Sequence, residues 1–294
     1  MDRARVPELR RGHAGAAARG RNAAVEAGLG KQGRTTISTA PPDWPQADLS
    51  HPVFDPVRPC LARLPRDAWP SLDRLNALAA EACVATHSGH PIRFVPPAKA
   101  DPYYEVHLSR TGEVHTRAKN WHDLFNALAW LSFPKAKARL NAMHAAQIPK
   151  EAGSRGRLRD MLTLFDEGGA ILACANPELE ALIRQHRWKE LFWKRRSSVL
   201  ADLRIHVLGH ALLEMALRPR PGLTCKVIFI GPQEAPDAAA AHWLDAHDAS
   251  GTTRDLASLP VFGYPGWLPG IVEAAFYDDQ RYFRPCRRSV AAVQ

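Results

Sequence analysis

Histidines and carboxylates recur at helical spacing in three stretches of this chain, and those residue types can bind a metal or move protons. In NWHDLFNALAWLSFP at 120–134, His122, Asp123 and Asn126 crowd the first two turns of an otherwise apolar segment. In 209–217, His210 and Glu214 are one turn apart and are the only polar side chains in an apolar run. A third group, Asp166 and Glu167, precedes Gly168 and Gly169. Two imidazoles with one or two carboxylates suit a divalent cation such as zinc or manganese that activates water, or metal-free acid-base chemistry. The candidate ligands are His122, Asp123, His210 and Glu214, and the candidate catalytic groups are His122, Asp123, Asn126, Asp166 and Glu167.

Each group also has a purely structural reading. Asn120 with Asp123 three residues later approximates a capping box, whereas His122 and Asn126 share a face that capping does not explain. His210 and Glu214 could simply pair with each other. Asp166 and Glu167 could be solvated turn residues. Lys137, Asn141 and His144 share a face with Leu140, which reads as a solvated polar face rather than a phosphate site. His206 and His210 mimic a metalloprotease spacing, but H-E-x-x-H is absent and His206 falls in a strand. Neither a nucleophile elbow nor a glycine-rich phosphate or dinucleotide loop is present, so no organic cofactor is assigned. Three functions stay open: an enzyme with a His/carboxylate site for metal-assisted or acid-base hydrolysis, a module binding a small ligand or nucleic acid through Lys137, Arg157 and the basic tail, and a structural polar network.

The elements that must position these residues follow from periodicity. Trp121, Leu124, Phe125, Leu128 and Leu131 form a helical stripe, and 72–85 and 237–247 also read as helices. Asn176-Pro177-Glu178 reads as a capped helix start. Strands are expected at 203–208 and 223–230, flanking a helix at 209–217. Alternation at 104–109, the turn Arg110-Thr111-Gly112-Glu113 and 114–117 give one hairpin, and 162–165 with 170–174 across Asp166-Glu167-Gly168-Gly169 give a second. Lys194-Arg195-Arg196 reads as the basic end of a helix. Pro41 to Pro70 reads as an ordered arm carrying Trp44, Phe54 and Trp69, and the last forty residues as irregular but ordered. Mixed hairpins and helices without strict alternation mean an α+β class.

Of the 294 residues, 46% are apolar, enough for a sizeable core. Residues 1–40 hold eight Lys/Arg against three Asp/Glu, and so carry five of the nine net positive charges. Their Ala/Gly/Arg composition predicts a disordered basic extension, leaving 41–294 as a single α+β domain. The folded part makes no strong claim on nucleic acid, although the tail supports weak, non-specific binding. Five singly spaced cysteines suit a reducing compartment. No segment is apolar enough to span a bilayer and no secretion signal opens the chain, so a cytoplasmic protein with no membrane partner is expected.

Several blocks together resemble the DUF3025 family of bacterial proteins of unknown function. They are the 120–134 stretch with Lys137, Asn141 and His144, RDMLTLFDEGG at 159–169, LGHALLE at 208–214, PVFGYPGWLPG at 260–270 and FYDDQRYFRP at 276–285. The resemblance covers roughly residues 41 to 285. It implies a bacterial, soluble protein with the first forty residues outside the domain, and it implies no reaction.

Deletion of residues 1–40 is expected to leave the melting temperature unchanged while weakening retention on heparin, since five net charges leave with them. A large loss of stability in the truncated protein would show that the tail packs.

Overall fold

The computed structural model describes residues 41–97, 103–151, 155–248, 250–271 and 273–286. The basic extension expected at 1–40 lies outside the described residues. In chain order the elements are α1 (Arg58–Leu61), α2 (Leu72–Glu81), β1 (Arg93–Val95), α3 (Tyr104–Thr111), β2 (Glu113–His115), α4 (Trp121–Ser132), α5 (Pro134–Gln147) and α6 (Arg157–Gly168). There follow β3 (Gly169–Cys174), α7 (Pro177–Arg184), α8 (Arg196–Asp202), β4 (Leu203–Val207), α9 (His210–Met215), β5 (Thr224–Ile230), α10 (Pro236–Ala246) and β6 (Ala257–Pro260). The class is α+β. No helix among the described residues is long and apolar enough to cross a membrane, and the five cysteines are free thiols.

A four-stranded sheet of order β4-β3-β5-β6 organises the fold, and a small parallel pair, β1 with β2, stands apart from it. Strand β3 runs antiparallel to β4, with Ile171 opposite His206, and parallel to β5, with Ile171 opposite Ile228. Five of its six residues are buried, as expected of a central strand covered on both faces. One sheet face packs through Ile171, Ile228 and Ile230 against Phe133, Leu140, Phe165 and Leu244 from the α4–α5 junction, α5, α6 and α10. The other, through Ala170, Leu172 and Val227, meets a larger core that includes α4, α7, α9 and the proline-punctuated arm.

That arm, expected from its aromatics, anchors α4. Trp44, Trp69 and Trp121 pack in tilted and edge-on contacts with ring centroids 5.0–6.1 Å apart, and Trp121 Nε1 donates to the Pro42 carbonyl at 2.8 Å. The aromatic carboxy-terminal segment is likewise packed, with Tyr264, Trp267, Tyr277, Tyr282 and Phe283 buried.

The first arm of each expected hairpin is a helix instead, whereas the second arms, at 114–117 and 170–174, overlap the strands β2 and β3. Residues 104–111 form α3, and Gly112, read as part of a hairpin turn, is its left-handed cap at φ +74°, donating to the Leu108 carbonyl. Over so short a segment, Tyr104 and Leu108 satisfy a period of two and a helical i, i+4 step equally well. Residues 162–165 lie within α6, where Met161, Leu162 and Phe165 are buried at helical spacing. Asp166 and Glu167 therefore sit in the last turn of a helix that runs directly into β3, not at an exposed turn. The Lys194-Arg195-Arg196 run bridges a π-helical turn, Glu190–Lys194, and the first residue of α8, so its basic end is also a helix start.

Two glycines fix the junction on which the site depends. Leu208 and Gly209 both donate to the Gly169 carbonyl, at 3.1 and 2.8 Å, which ties the start of α9 to the end of α6. A Cβ on Gly209 would lie 2.5 Å from Gly169 N, 2.7 Å from the Glu167 carbonyl oxygen and 2.7 Å from Gly168 Cα. All three are backbone atoms that cannot swing aside. Gly209→Ala is therefore expected to destabilise the protein by about 1–3 kcal/mol, measurable by denaturant titration. A neutral effect would mean that α9 can move off the α6–β3 junction freely.

Candidate metal centre

Helix α4 begins as its sequence requires. Asn120 Oδ1 accepts from Asp123 N at 3.0 Å, which satisfies one of the free amides of the first turn. The Asp123 carboxylate is turned to Arg117, accepting from its main-chain N–H at 2.7 Å and from Nε and Nη2 at 2.8 Å. Burial works against that charge, but the Arg117 hydrogen bonds outweigh it and hold the carboxyl below its usual range. Both Asp123 oxygens are thus engaged by an arginine.

His122, one residue earlier, points to α9, which packs on α4. Its Nδ1 faces Glu214 Oε2 at 3.2 Å, and its Nε2 lies 3.1 Å from His210 Nε2. The His210–Glu214 pairing left open by the sequence gives way to a contact between Glu214 and the histidine of the other helix. Glu167 Oε2, carried by the last turn of α6, stands 3.4 Å from the same His210 nitrogen. His122, Glu167 and His210 therefore present one nitrogen or oxygen each, all within 4.8 Å of one another.

The environments of these groups differ. His210 is buried, and desolvation pushes its pKa down to about 4. His122 is half-buried, and its hydrogen bond with Glu214 raises its pKa. Burial, then the neighbouring Asp166 charge, raises that of Glu167. Burial opposes ionisation of Asp166 too, yet the Lys137 ammonium outweighs it and keeps the carboxyl below its usual range. Lys137 Nζ contacts Asp166 Oδ1 at 2.5 Å and Asn126 Oδ1 at 2.9 Å. Asn126, on the same face as His122, thus serves the lysine.

The face of α5 carrying Lys137, Asn141 and His144, expected to be solvated, is buried. Helix α5 is enclosed by α3, α6 and α10, and each of the three residues makes a polar contact, Asn141 Nδ2 donating to Glu105 Oε2 at 2.7 Å and Arg159 Nε donating to His144 Nδ1 at 3.4 Å, although Asn141 Oδ1 is buried without a hydrogen bond. Sequence reasoning set Glu167 outside the ligand set and missed Glu105 and Arg117 altogether. The i, i+4, i+7 spacing of the α5 triad was a visible signal, but spacing alone does not say what covers a face.

The cluster opens into a cleft of about 410 Å³ that is also lined by Pro97, Tyr104, His115 and Arg117. His122, Glu167 and His210, which line it, and Glu214 on His122 all fall within a family match that spans residues 92–287. The chain belongs to the DUF3025 family. That family is described as proteins of unknown function, and the match begins further along the chain than residue 41, where the sequence resemblance was drawn. No curated protein and no solved structure matches the chain.

Burial of His144 has a measurable consequence. Its pKa is pushed down to about 4, so between about 6.5 and 4 the unfolded chain binds a proton that the folded chain does not. This contribution to stability is present above pH 6.5 and is lost as pH falls toward 4. His144→Leu is expected to reduce the slope of stability against pH in that window by up to about one proton. An unchanged acid limb in chemical denaturation would show that His144 protonates freely in the folded state.

Proposed function

We propose that this protein is a metal-dependent hydrolase in which His122, His210 and Glu167 hold one divalent cation. The observation that carries the reading is the spacing of the three donor atoms. Two ligands bound at about 2.0–2.1 Å to a tetrahedral ion stand about 3.3 Å apart, and the observed separations at His210 Nε2 are 3.1 Å to His122 and 3.4 Å to Glu167. Two imidazole nitrogens at 3.1 Å cannot both present lone pairs unless a proton or a cation lies between them.

Glu214 supports the same reading. A carboxylate on His122 Nδ1 places the proton there, frees Nε2 to ligate and raises its basicity, as outer carboxylates do around metal-bound histidines. Glu214 and Asp123 thereby take supporting roles rather than direct ligation. Two histidines and one carboxylate suit zinc, manganese or ferrous iron and leave at least one position for water on the cleft side. A cation there would lower the pKa of that water enough to make it a nucleophile near neutral pH. The Arg117 side chain, which also lines the cleft, is 58% exposed and can meet an anionic group of a small-molecule substrate.

Purified protein stripped with chelator and titrated with zinc, manganese or ferrous iron is expected to bind about one equivalent and to gain thermal stability, while His210→Ala and Glu167→Gln bind none. The loaded protein is expected to hydrolyse at least one member of a panel of chromogenic esters, amides and phosphoesters. Absence of binding and of any thermal shift would overturn the metal centre, and binding without turnover of any panel member would count against hydrolysis.

A further inference from the structure

At the edge of the four-stranded sheet, β5 and β6 carry polar groups that the cleft does not use. Lys226 lies opposite Ser258 and Thr224 opposite Pro260, so the antiparallel register puts these four residues on one face of the strand pair. Lys226 Nζ donates to Ser258 Oγ at 3.0 Å. The hydroxyl oxygen thus accepts from a cation and keeps its own hydrogen to donate. The ammonium is half-buried, which lowers its pKa, and among the described residues no carboxylate offsets that cost.

Beside the strand pair lies a pocket of about 200 Å³, lined in part by His186, Trp188, Thr224, Ser258, Arg281 and Arg284. No carboxylate is among its lining residues, and it shares none of them with the cleft. Arg281 is half committed: Nε and Nη2 donate to the two oxygens of Asp279, each at 2.9 Å, which leaves the Nη1 hydrogens. Arg284 makes one long hydrogen bond, from Nε to the Arg281 carbonyl at 3.3 Å, and its Nη groups have no partner among the described residues. Trp188 Nε1 donates to the Arg284 carbonyl at 2.9 Å and so ties two of the walls together.

His186 belongs to the same wall as Trp188. It holds a left-handed φ of +56° at the end of α7. There its N–H donates to the Ile183 carbonyl at 3.0 Å and that of Arg187 to the Leu182 carbonyl at 2.9 Å, a helix stop that glycine makes without strain. The imidazole stacks on Trp188 with centroids 4.9 Å apart, and its Nδ1 is buried with no hydrogen-bond partner among the described residues.

We propose that this pocket binds a phosphate group, either as inorganic phosphate or as the head of a small phosphate monoester. Guanidinium and hydroxyl donors reach it from separate stretches of chain, and a tetrahedral anion offers oxygens in enough directions to meet them, whereas one guanidinium fork suffices for a planar carboxylate. The buried Trp188 ring gives an organic tail an apolar wall, and the volume restricts that tail to a few carbons. The site stands independently of the metal reading.

The test is calorimetric titration of the full, chelator-treated chain with inorganic phosphate, glycerol 3-phosphate and acetate at constant ionic strength. Saturable binding of about one equivalent of phosphate or of the monoester is expected, with acetate weaker. Tighter binding of the monoester would assign an organic ligand, and equal affinities the free ion. Arg284→Gln and Ser258→Ala, both at side chains that are at least partly exposed, are each expected to keep the wild-type melting temperature and to weaken binding by about tenfold or more. Absence of saturable phosphate binding, acetate bound as tightly as phosphate, or wild-type affinity in both folded variants would overturn the proposal. Loss of binding in Arg117→Gln with both pocket variants unaffected would place the anion in the cleft and overturn it equally.

Discussion

The structure around the cleft depends on a close approach of two backbones. Where the end of α6 meets the start of α9, main chain lies against main chain, and the Gly169 carbonyl accepts from two successive amides of the Leu208-Gly209 turn. A side chain at Gly209 would fall among backbone atoms of residues 167 to 169, so the approach is available only to glycine. Through it a carboxylate from one helix and a histidine from another come within 3.4 Å, although neither helix has sequence features that specify the other. The sheet supplies the rest of the frame, since α6 runs straight into β3 and α9 follows β4, its antiparallel neighbour.

Around that junction the protein buries several ionisable side chains. Lys137, Asp123 and His210 are all under a tenth exposed, and a buried ion is tolerated only when paired and hydrogen-bonded. Here the pairing is thorough at Lys137, which has two oxygen partners, and at Asp123, which has three donors from a single arginine. It is incomplete at the histidine pair, where two ring nitrogens face each other and a carboxylate. The contrast separates fully paired groups from incompletely paired ones.

Much of this was legible in the sequence, and the limits have physical causes. The strands at 203–208 and 223–230, the α9 helix between them and the Asn120 and Asn176 caps follow from local periodicity and capping chemistry, and the structure contains them. The two polar turns carrying His122 and His210 stood out because polar groups in apolar helices need partners, and they meet in space. The short segments at 104–111 and 162–165 were misread because eight or fewer residues rarely separate a period of two from one of 3.6, and because Gly112 ends a helix as readily as it makes a turn. Assignment of Asp166 and Glu167 to a hairpin tip concealed that they share a half-buried helix end, and the α5 face looked solvated because nothing local revealed that three helices enclose it.

The separation of the clustered side chains along the chain has a kinetic consequence. His122 and His210 are 88 residues apart, so the pair exists only once a long loop has closed and α4 has docked on α9. Contacts of such span form late, after local helices and the neighbouring strands have reduced the entropy of closure. For the same reason, opening of this one helix–helix contact would disperse the cluster without unfolding the central sheet. Occupancy of the centre would then be governed by the lifetime of the α4–α9 contact, and a bound ion would act as a clasp on that contact rather than on the fold as a whole.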